Sequence, residues 1–169
     1  MERLWAPWRM TYIDGIEDDG SHGGCFLCAA RDAEDDRRAL VFLRRPLAFA
    51  VLNRFPYNNG HALIVPAAHK GRLADLSDDE MLEIMGLARD VMAVYRQVLR
   101  PDGFNLGMNF GRTAGAGLPE HLHLHVVPRW NGDTNFMPVL GDTKIIPQSL
   151  EDLYDRLRAA LDDRPAGVE

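Results

Sequence analysis

Residues 120–130 read EHLHLHVVPRW, with His121, His123 and His125 at every second position. Strict alternation is the period of a β-strand, so the pattern predicts a strand over HLHLHVVPR. One face would carry Leu122, Leu124 and Val126 into a core. The other would line a cleft with imidazoles. Half of the chain's 6 histidines lie in this short run. Same-face neighbours on a strand stand about 6.7 Å apart and the outer two about twice that. Zinc–nitrogen bonds are only ~2.0–2.1 Å, so all three cannot converge on one ion, although two neighbours could. Catalysis, metal binding and a merely structural role all remain open from the pattern alone.

A strand with one apolar face needs other strands and a covering layer, and the rest of the chain supplies them. ALVFLRR, AFAVLNRFP, HALIVP and FNLGMNF read as four further strands. Tyr57-Asn58-Asn59-Gly60 contains an Asn-Gly step that suits a tight hairpin. Ser77-Asp78-Asp79-Glu80 has the form of a capping box, and MLEIMGLARDVMAVYRQVL behind it has apolar residues spaced three and four apart. That run is the expected main helix, ended by Arg100-Pro101-Asp102-Gly103. LEDLYDRLRAAL predicts a C-terminal helix. The expected fold class is α+β, a mostly antiparallel five-stranded sheet with one main helix and a C-terminal helix. At 169 residues the chain suits a single domain spanning 1–169. Residues 1–20 form an N-terminal extension, whose aromatic start MERLWAPWRM should pack on the domain or a partner, and 162–169 a frayed tail.

Charge and composition exclude several functions. A net charge of −6 argues against a general nucleic-acid binder, while leaving room for a small anionic ligand at a locally positive site. No apolar run approaches the ~20 residues of a membrane span. The opening lacks the apolar stretch and cleavage site of a signal peptide, so the expected location is the cytoplasm. The only 2 cysteines, Cys25 and Cys28, form a CxxC. In a reducing compartment that pair suits metal or redox chemistry better than a structural disulfide.

His121-Leu122-His123-Leu124-His125-Val126-Val127 resembles the histidine triad motif, His-x-His-x-His followed by apolar residues. LVFLRRPLAFAVLNRFPYNNGHALIVPAAHKGRLADLS resembles the upstream half of the same family, including Asn53/Pro56 and Gly60/His61/Pro66. The opening LWAPWRMTYI and the downstream PRWNGDTNF are most similar to its bacterial diadenosine tetraphosphate phosphorylase-like branch. The resemblance implies an enzyme that transfers a nucleotidyl group through a covalent histidine. His123 would attack the α-phosphorus, and its other ring nitrogen should donate to a backbone carbonyl. His125 would bind phosphate oxygens and help the leaving group depart. Asn53 would contact the ribose, Asn109 the phosphate region, and His61 would stand behind the triad. The loop RTAGAGLPE, with Gly115 and Gly117, would bring backbone N–H groups to the phosphate. Arg129, Trp130 and Asn135 become candidates for phosphate or base binding, with dimer packing as the other reading of Trp130. Many relatives carry Ser or Gln shortly before the first histidine. Here Gly117, Leu118, Pro119 and Glu120 fill that stretch.

By the same resemblance, Cys25 and Cys28 join His69 and His121 in a structural zinc site; His22 is a lower-ranked competitor. A Cys2His2 set satisfies tetrahedral zinc without an open position. No organic cofactor is implied. The implied substrate is a dinucleoside polyphosphate, foremost diadenosine tetraphosphate, with inorganic phosphate as candidate co-substrate and a homodimer as the assembly. Rival readings are a hydrolase giving AMP plus ATP, a nucleoside phosphoramidase, a nucleotide-binding signalling protein, and a module whose histidines serve metal only.

Overall fold

A computed structural model describes residues 24–133 and 146–163. The N-terminal extension with His22, Asn135, and the tail beyond Asp163 lie outside the described residues. Five strands, β1 Val41–Arg44, β2 Ala48–Leu52, β3 Ala62–Pro66, β4 Gly103–Met108 and β5 Leu124–Arg129, form one sheet in the order β1-β2-β3-β5-β4. Every neighbouring pair is antiparallel. The helices are α1 Phe26–Asp32, α2 Asp36–Ala39, α3 Asp78–Val98 and α4 Leu150–Asp162.

Helix α3 begins where the sequence says it should. The Ser77 hydroxyl accepts from the Glu80 N–H, and the Glu80 carboxylate accepts from the Ser77 N–H, a complete capping box. Ile84, Leu87, Ala88, Val91, Val94 and Tyr95 share its buried face, which lies against β2, β3 and β5. Helix α4 contributes Leu153 and Leu157 to the same core. Strands β2 and β3 are buried along their whole length, as befits the middle of the sheet.

Two expectations are corrected. The β2–β3 connection is not a tight Asn-Gly hairpin. It is a wide loop from Asn53 to His61, in which Gly60 takes φ +75° and a Cβ there would meet Leu99 Cδ1 at 2.7 Å. Asn58 holds that loop by side-chain contacts that turn chemistry alone does not foresee. The histidine strand also starts later than the alternation predicts. The ladder begins at Leu124, paired with Ile64 and Met108. His121, Leu122 and His123 instead run beside the loop after β3, where the Leu122 N–H donates to Lys70 O at 2.7 Å. Strand alternation therefore does not govern them, and all three are buried.

Candidate active site and metal centre

Cys25 caps the N-terminus of α1, its Sγ accepting from the Cys28 N–H at 3.4 Å. The CxxC spacing thereby puts both sulfurs on one turn. His69 comes from the loop after β3 and His121 from the approach to β5. Nδ1 of His121 lies 3.2 Å from Cys25 Sγ and 3.5 Å from Cys28 Sγ. Nδ1 of His69 lies 3.2 Å from Cys28 Sγ. The four ligand atoms all fall within 4.8 Å of one another. The Nε2–H of His121 donates to Pro66 O at 3.0 Å, which leaves Nδ1 as the lone-pair nitrogen facing the sulfurs. Burial holds the His121 imidazole neutral, with its pKa down at about 4. Burial, then Cys25 beside it, pushes the Cys28 thiol up to about 11. A cation displacing the thiol protons would relieve that cost. The set can hold a metal ion.

The segments carrying these ligands are pressed together. A Cβ on Gly71 would meet Pro119 O at 2.6 Å, so only glycine lets the His69 loop approach the triad this closely. Arg31 at the end of α1 donates to Ala67 O at 2.8 Å, and Lys70 on the same loop pairs with Glu80 at 2.7 Å. Neither contact follows from a sequence signature, because both join loops to helices distant in the chain.

His123 is 8% exposed, and its Nδ1 lies 2.9 Å from the His121 carbonyl oxygen. A carbonyl only accepts, so Nδ1 carries the proton and Nε2 bears the free lone pair. Burial lowers the pKa of this imidazole, the backbone hydrogen bond opposing it in part. The His125 ring stands 4.9 Å away, nearly edge-on at 74°. Behind it, His61 Nε2 lies 2.9 Å from His125 Nδ1, while His61 Nδ1 accepts from the Tyr57 N–H at 3.0 Å. The Tyr57 ring covers both imidazoles, 4.5 Å from His61 and 5.7 Å from His125 by centroids. Nothing in the sequence marks Tyr57 as a site residue; its adjacency to the Asn-Asn-Gly turn gives only a turn signal.

The other expected residues divide. Asn53 joins the cluster, its Nδ2 3.3 Å from His61 Nδ1 and its Oδ1 accepting from the Phe55 N–H at 2.9 Å. Asn109 donates to Gly115 O at 3.3 Å and so fastens the glycine-rich loop. Within that loop the N–H groups of Ala114, Gly115 and Ala116 donate to Arg112 and Gly111 carbonyls. The Gly115 N–H is thus taken up by the 3-10 turn at Arg112–Ala114, donating to Arg112 O at 2.9 Å. Gly117 follows, half-buried. Glu120 points to solvent near Arg112, 4.0 Å away. Arg129 and Trp130 are not brought to the triad. They close the other end of β5, about 13 Å along the strand beyond His125, and Arg129 is held by Asp133 and Asn105.

Similarity to known proteins agrees with this geometry. The HIT domain model matches residues 34–132. AP-4-A phosphorylase of Mycobacterium tuberculosis (strain ATCC 25618 / H37Rv) is 42% identical over 156 residues, covering 90% of this chain and 80% of that protein. Adenosine 5'-monophosphoramidase hnt1 of Schizosaccharomyces pombe is 24% identical over 137 residues, 81% of this chain and 98% of that one. The crystal structure of a Zn-bound histidine triad family protein from Mycobacterium smegmatis superposes with a TM-score of 0.65 at 28% identity, covering 82% of this chain and 93% of that one. With its triad on the rim of a five-stranded antiparallel sheet and the family model spanning all five of those strands, the chain belongs to the HIT domain family.

Proposed function

We propose that this HIT-family enzyme cleaves dinucleoside polyphosphates, diadenosine tetraphosphate foremost, by phosphorolysis to ADP and ATP. The tautomer of His123 carries the nucleotidyl-transfer step, and the similarity to AP-4-A phosphorylase supports the choice of substrate and acceptor. The His123 Nδ1–H is committed to the His121 carbonyl at 2.9 Å, which leaves Nε2 as an aimed, uncharged nucleophile. Nε2 attacks the α-phosphorus, a P–N bond forms, and the P–O bond to the departing ATP breaks. An oxygen of inorganic phosphate then attacks the same phosphorus. The P–N bond breaks, ADP leaves, and neutral imidazole is restored. His125, with His61 behind it at Nδ1, is placed to give a proton from Nε2 to the leaving oxygen and to bind phosphate oxygens. Asn53 serves the ribose; Asn109 and the loop through Gly115 and Gly117 serve the phosphates, with Asn109 acting by holding the loop.

Cys25, Cys28, His69 and His121 hold zinc in this reading. Two sulfurs and two imidazole nitrogens complete a tetrahedron, so the ion is structural. The Zn-bound relative supports the choice of metal. The location is the cytoplasm, and no helix among the described residues is long and apolar enough to cross a membrane. The assembly is a homodimer joined at β4. That strand is an open sheet edge with Leu106 40% exposed, whereas the opposite edge, β1, is interrupted by a register shift.

Incubation with diadenosine tetraphosphate, with and without inorganic phosphate, tests the activity. ADP plus ATP formed only with phosphate supports phosphorolysis. AMP plus ATP without phosphate reassigns the enzyme as a hydrolase. Turnover of an adenosine phosphoramidate alone overturns the substrate class.

A further inference from the structure

Arg129 and Asp133 belong to the segment whose sequence suggests substrate contacts, yet the structure gives them other partners. Asp133 has a side chain only 8% exposed. Its carboxylate accepts from Arg129 Nε at 2.6 Å and Nη2 at 2.9 Å, from the Trp130 N–H at 3.2 Å and from Asn58 Nδ2 at 2.8 Å. Arg129 Nη1 donates in addition to Asn105 Oδ1 on β4 at 2.9 Å. All three nitrogens of this guanidinium thus have a partner at Asp133 or on β4.

Asn58 is the pivot. It is 9% exposed, and its amide also donates to Pro128 O at 3.1 Å. Its own carbonyl accepts the His61 N–H at 3.1 Å. The residue before it, Tyr57, donates its N–H to His61 Nδ1 at 3.0 Å. A backbone N–H can only donate, so His61 Nδ1 must be unprotonated and the ring proton sits on Nε2. That proton faces His125 Nδ1 at 2.9 Å, so His125 carries its own proton on Nε2. The tautomer of His125 is thus set by two one-way hydrogen bonds that start at the Tyr57 N–H, on a loop that Asn58 fastens to the Arg129–Asp133 ion pair at the far end of β5.

We infer that Arg129, Asp133 and Asn58 form a positioning clamp for His125, holding the Asn53–His61 loop so that Tyr57 and His61 fix the orientation and tautomer of that histidine. The inference rests on the nucleotidyl-transfer reading for its catalytic consequence, and on the hydrogen bonds alone for its structural one. Without Asp133 the loop keeps the Asn58–Pro128 hydrogen bond but loses the carboxylate that fixes the Asn58 amide. Tyr57 N–H then no longer compels the His61 tautomer, and His125 meets the leaving group misoriented or with the wrong nitrogen protonated. The Nε2–H of His125 binds a phosphate oxygen in the ground state and is given up only as the leaving group departs, so kcat should fall by more than KM rises.

The test is Asp133→Ala in the full chain, with Asp133→Asn as a near-isosteric second variant. Arg37→Gln, which opens the exposed Arg37–Asp155 pair, controls for the loss of a surface ion pair. Imidazole nitrogen-15 shifts are read without substrate, and kcat and KM with diadenosine tetraphosphate and inorganic phosphate. For Asp133→Ala the expected result is a kcat lower by about 10- to 100-fold with a rise in KM of less than about tenfold and smaller than the fall in kcat. The Nδ1 shifts of His61 and His125 should move away from the unprotonated type. Asp133→Asn, which keeps an oxygen for Asn58, should fall between Asp133→Ala and the native chain, and Arg37→Gln should match the native chain. Native nitrogen shifts and native kcat in folded Asp133→Ala overturn the clamp, as does a fall in kcat that merely tracks the unfolded fraction. If Asp133→Ala does not fold, Asp133→Asn carries both measurements, and native values there overturn the clamp. If the native chain does not cleave the substrate, the functional reading fails, and the nitrogen shifts still decide the clamp.

Discussion

Each histidine of the triad has two ring nitrogens, and the partner of one decides what the other can do. His121 spends Nε2–H on the Pro66 carbonyl and turns Nδ1 to two sulfurs. His123 spends Nδ1–H on the His121 carbonyl and keeps Nε2 as a base. Truncating them should therefore have different outcomes. His123→Ala should lose turnover by about 10³-fold or more with metal content unchanged, as elemental analysis and initial rates would reveal. His121→Ala should lose bound zinc and melt at a lower temperature; full zinc retention would refute its place among the ligands. Gly71 carries a third residue-scale consequence. Its would-be Cβ meets backbone at 2.6 Å, where nothing flexible can give way. Gly71→Ala should cost about 1–3 kcal/mol, measured by urea unfolding.

Helix α3 and the loop after β3 meet at one carboxylate. Glu80 closes the capping box and accepts from Lys70 Nζ at 2.7 and 2.9 Å. The ammonium of Lys70 holds its carboxyl below the usual carboxylate range, with the Ser77 N–H adding to the effect. A carboxyl depressed in the fold contributes stability that is present above its unfolded pKa of about 4.3 and is lost as pH falls through the lower folded value. Glu80→Gln keeps a cap acceptor and removes the charge. The stability difference between native chain and variant should thus be largest near neutral pH and shrink steadily below about pH 4.3. Urea midpoints at a series of pH values measure it, and a constant difference down to about pH 2 would refute the linkage. Ser77→Ala should cost about 1 kcal/mol independently of that pH range.

At the scale of the molecule, the candidate metal centre ties α1 to the sheet. Two of its ligands cap or begin α1, and the other two come from the segments on either side of the β3–β5 junction. Chelation should release α1 and lower the melting temperature. The expected loss is about 3 kcal/mol when free metal had stood at about a hundred times its Kd. Cys25→Ser should melt low and respond little to chelator. A chelator without effect on the native chain would remove the structural role. The open edge at β4 predicts a dimer, and Leu106→Lys should shift sedimentation toward the monomer while leaving the far-UV spectrum unchanged.

Local patterns are enough for the five strands, the main helix and the C-terminal helix, but not for α1 and α2, which no periodicity marks. The capping box at Ser77, the spacing behind it and the five apolar segments form the element types their periodicity predicts, because those signals act over a few residues. The family resemblance groups Cys25, Cys28, His69 and His121 into one ligand set and puts His61 behind the triad, and the fold brings the same residues together. Alternation misplaces the start of β5, since the partner of Leu122 is the Lys70 carbonyl in a loop rather than a neighbouring strand. The sequence offers Arg129 as a candidate for phosphate or base binding, and only the fold adds the partners Asp133 and Asn105 that hold its guanidinium at the far end of β5. Residue types and their spacing determined which chemistry this chain carries. Which nitrogen of each imidazole bears the proton was decided by tertiary structure, because the carbonyls and N–H groups that set it are brought to the rings by loops whose paths no local pattern specifies.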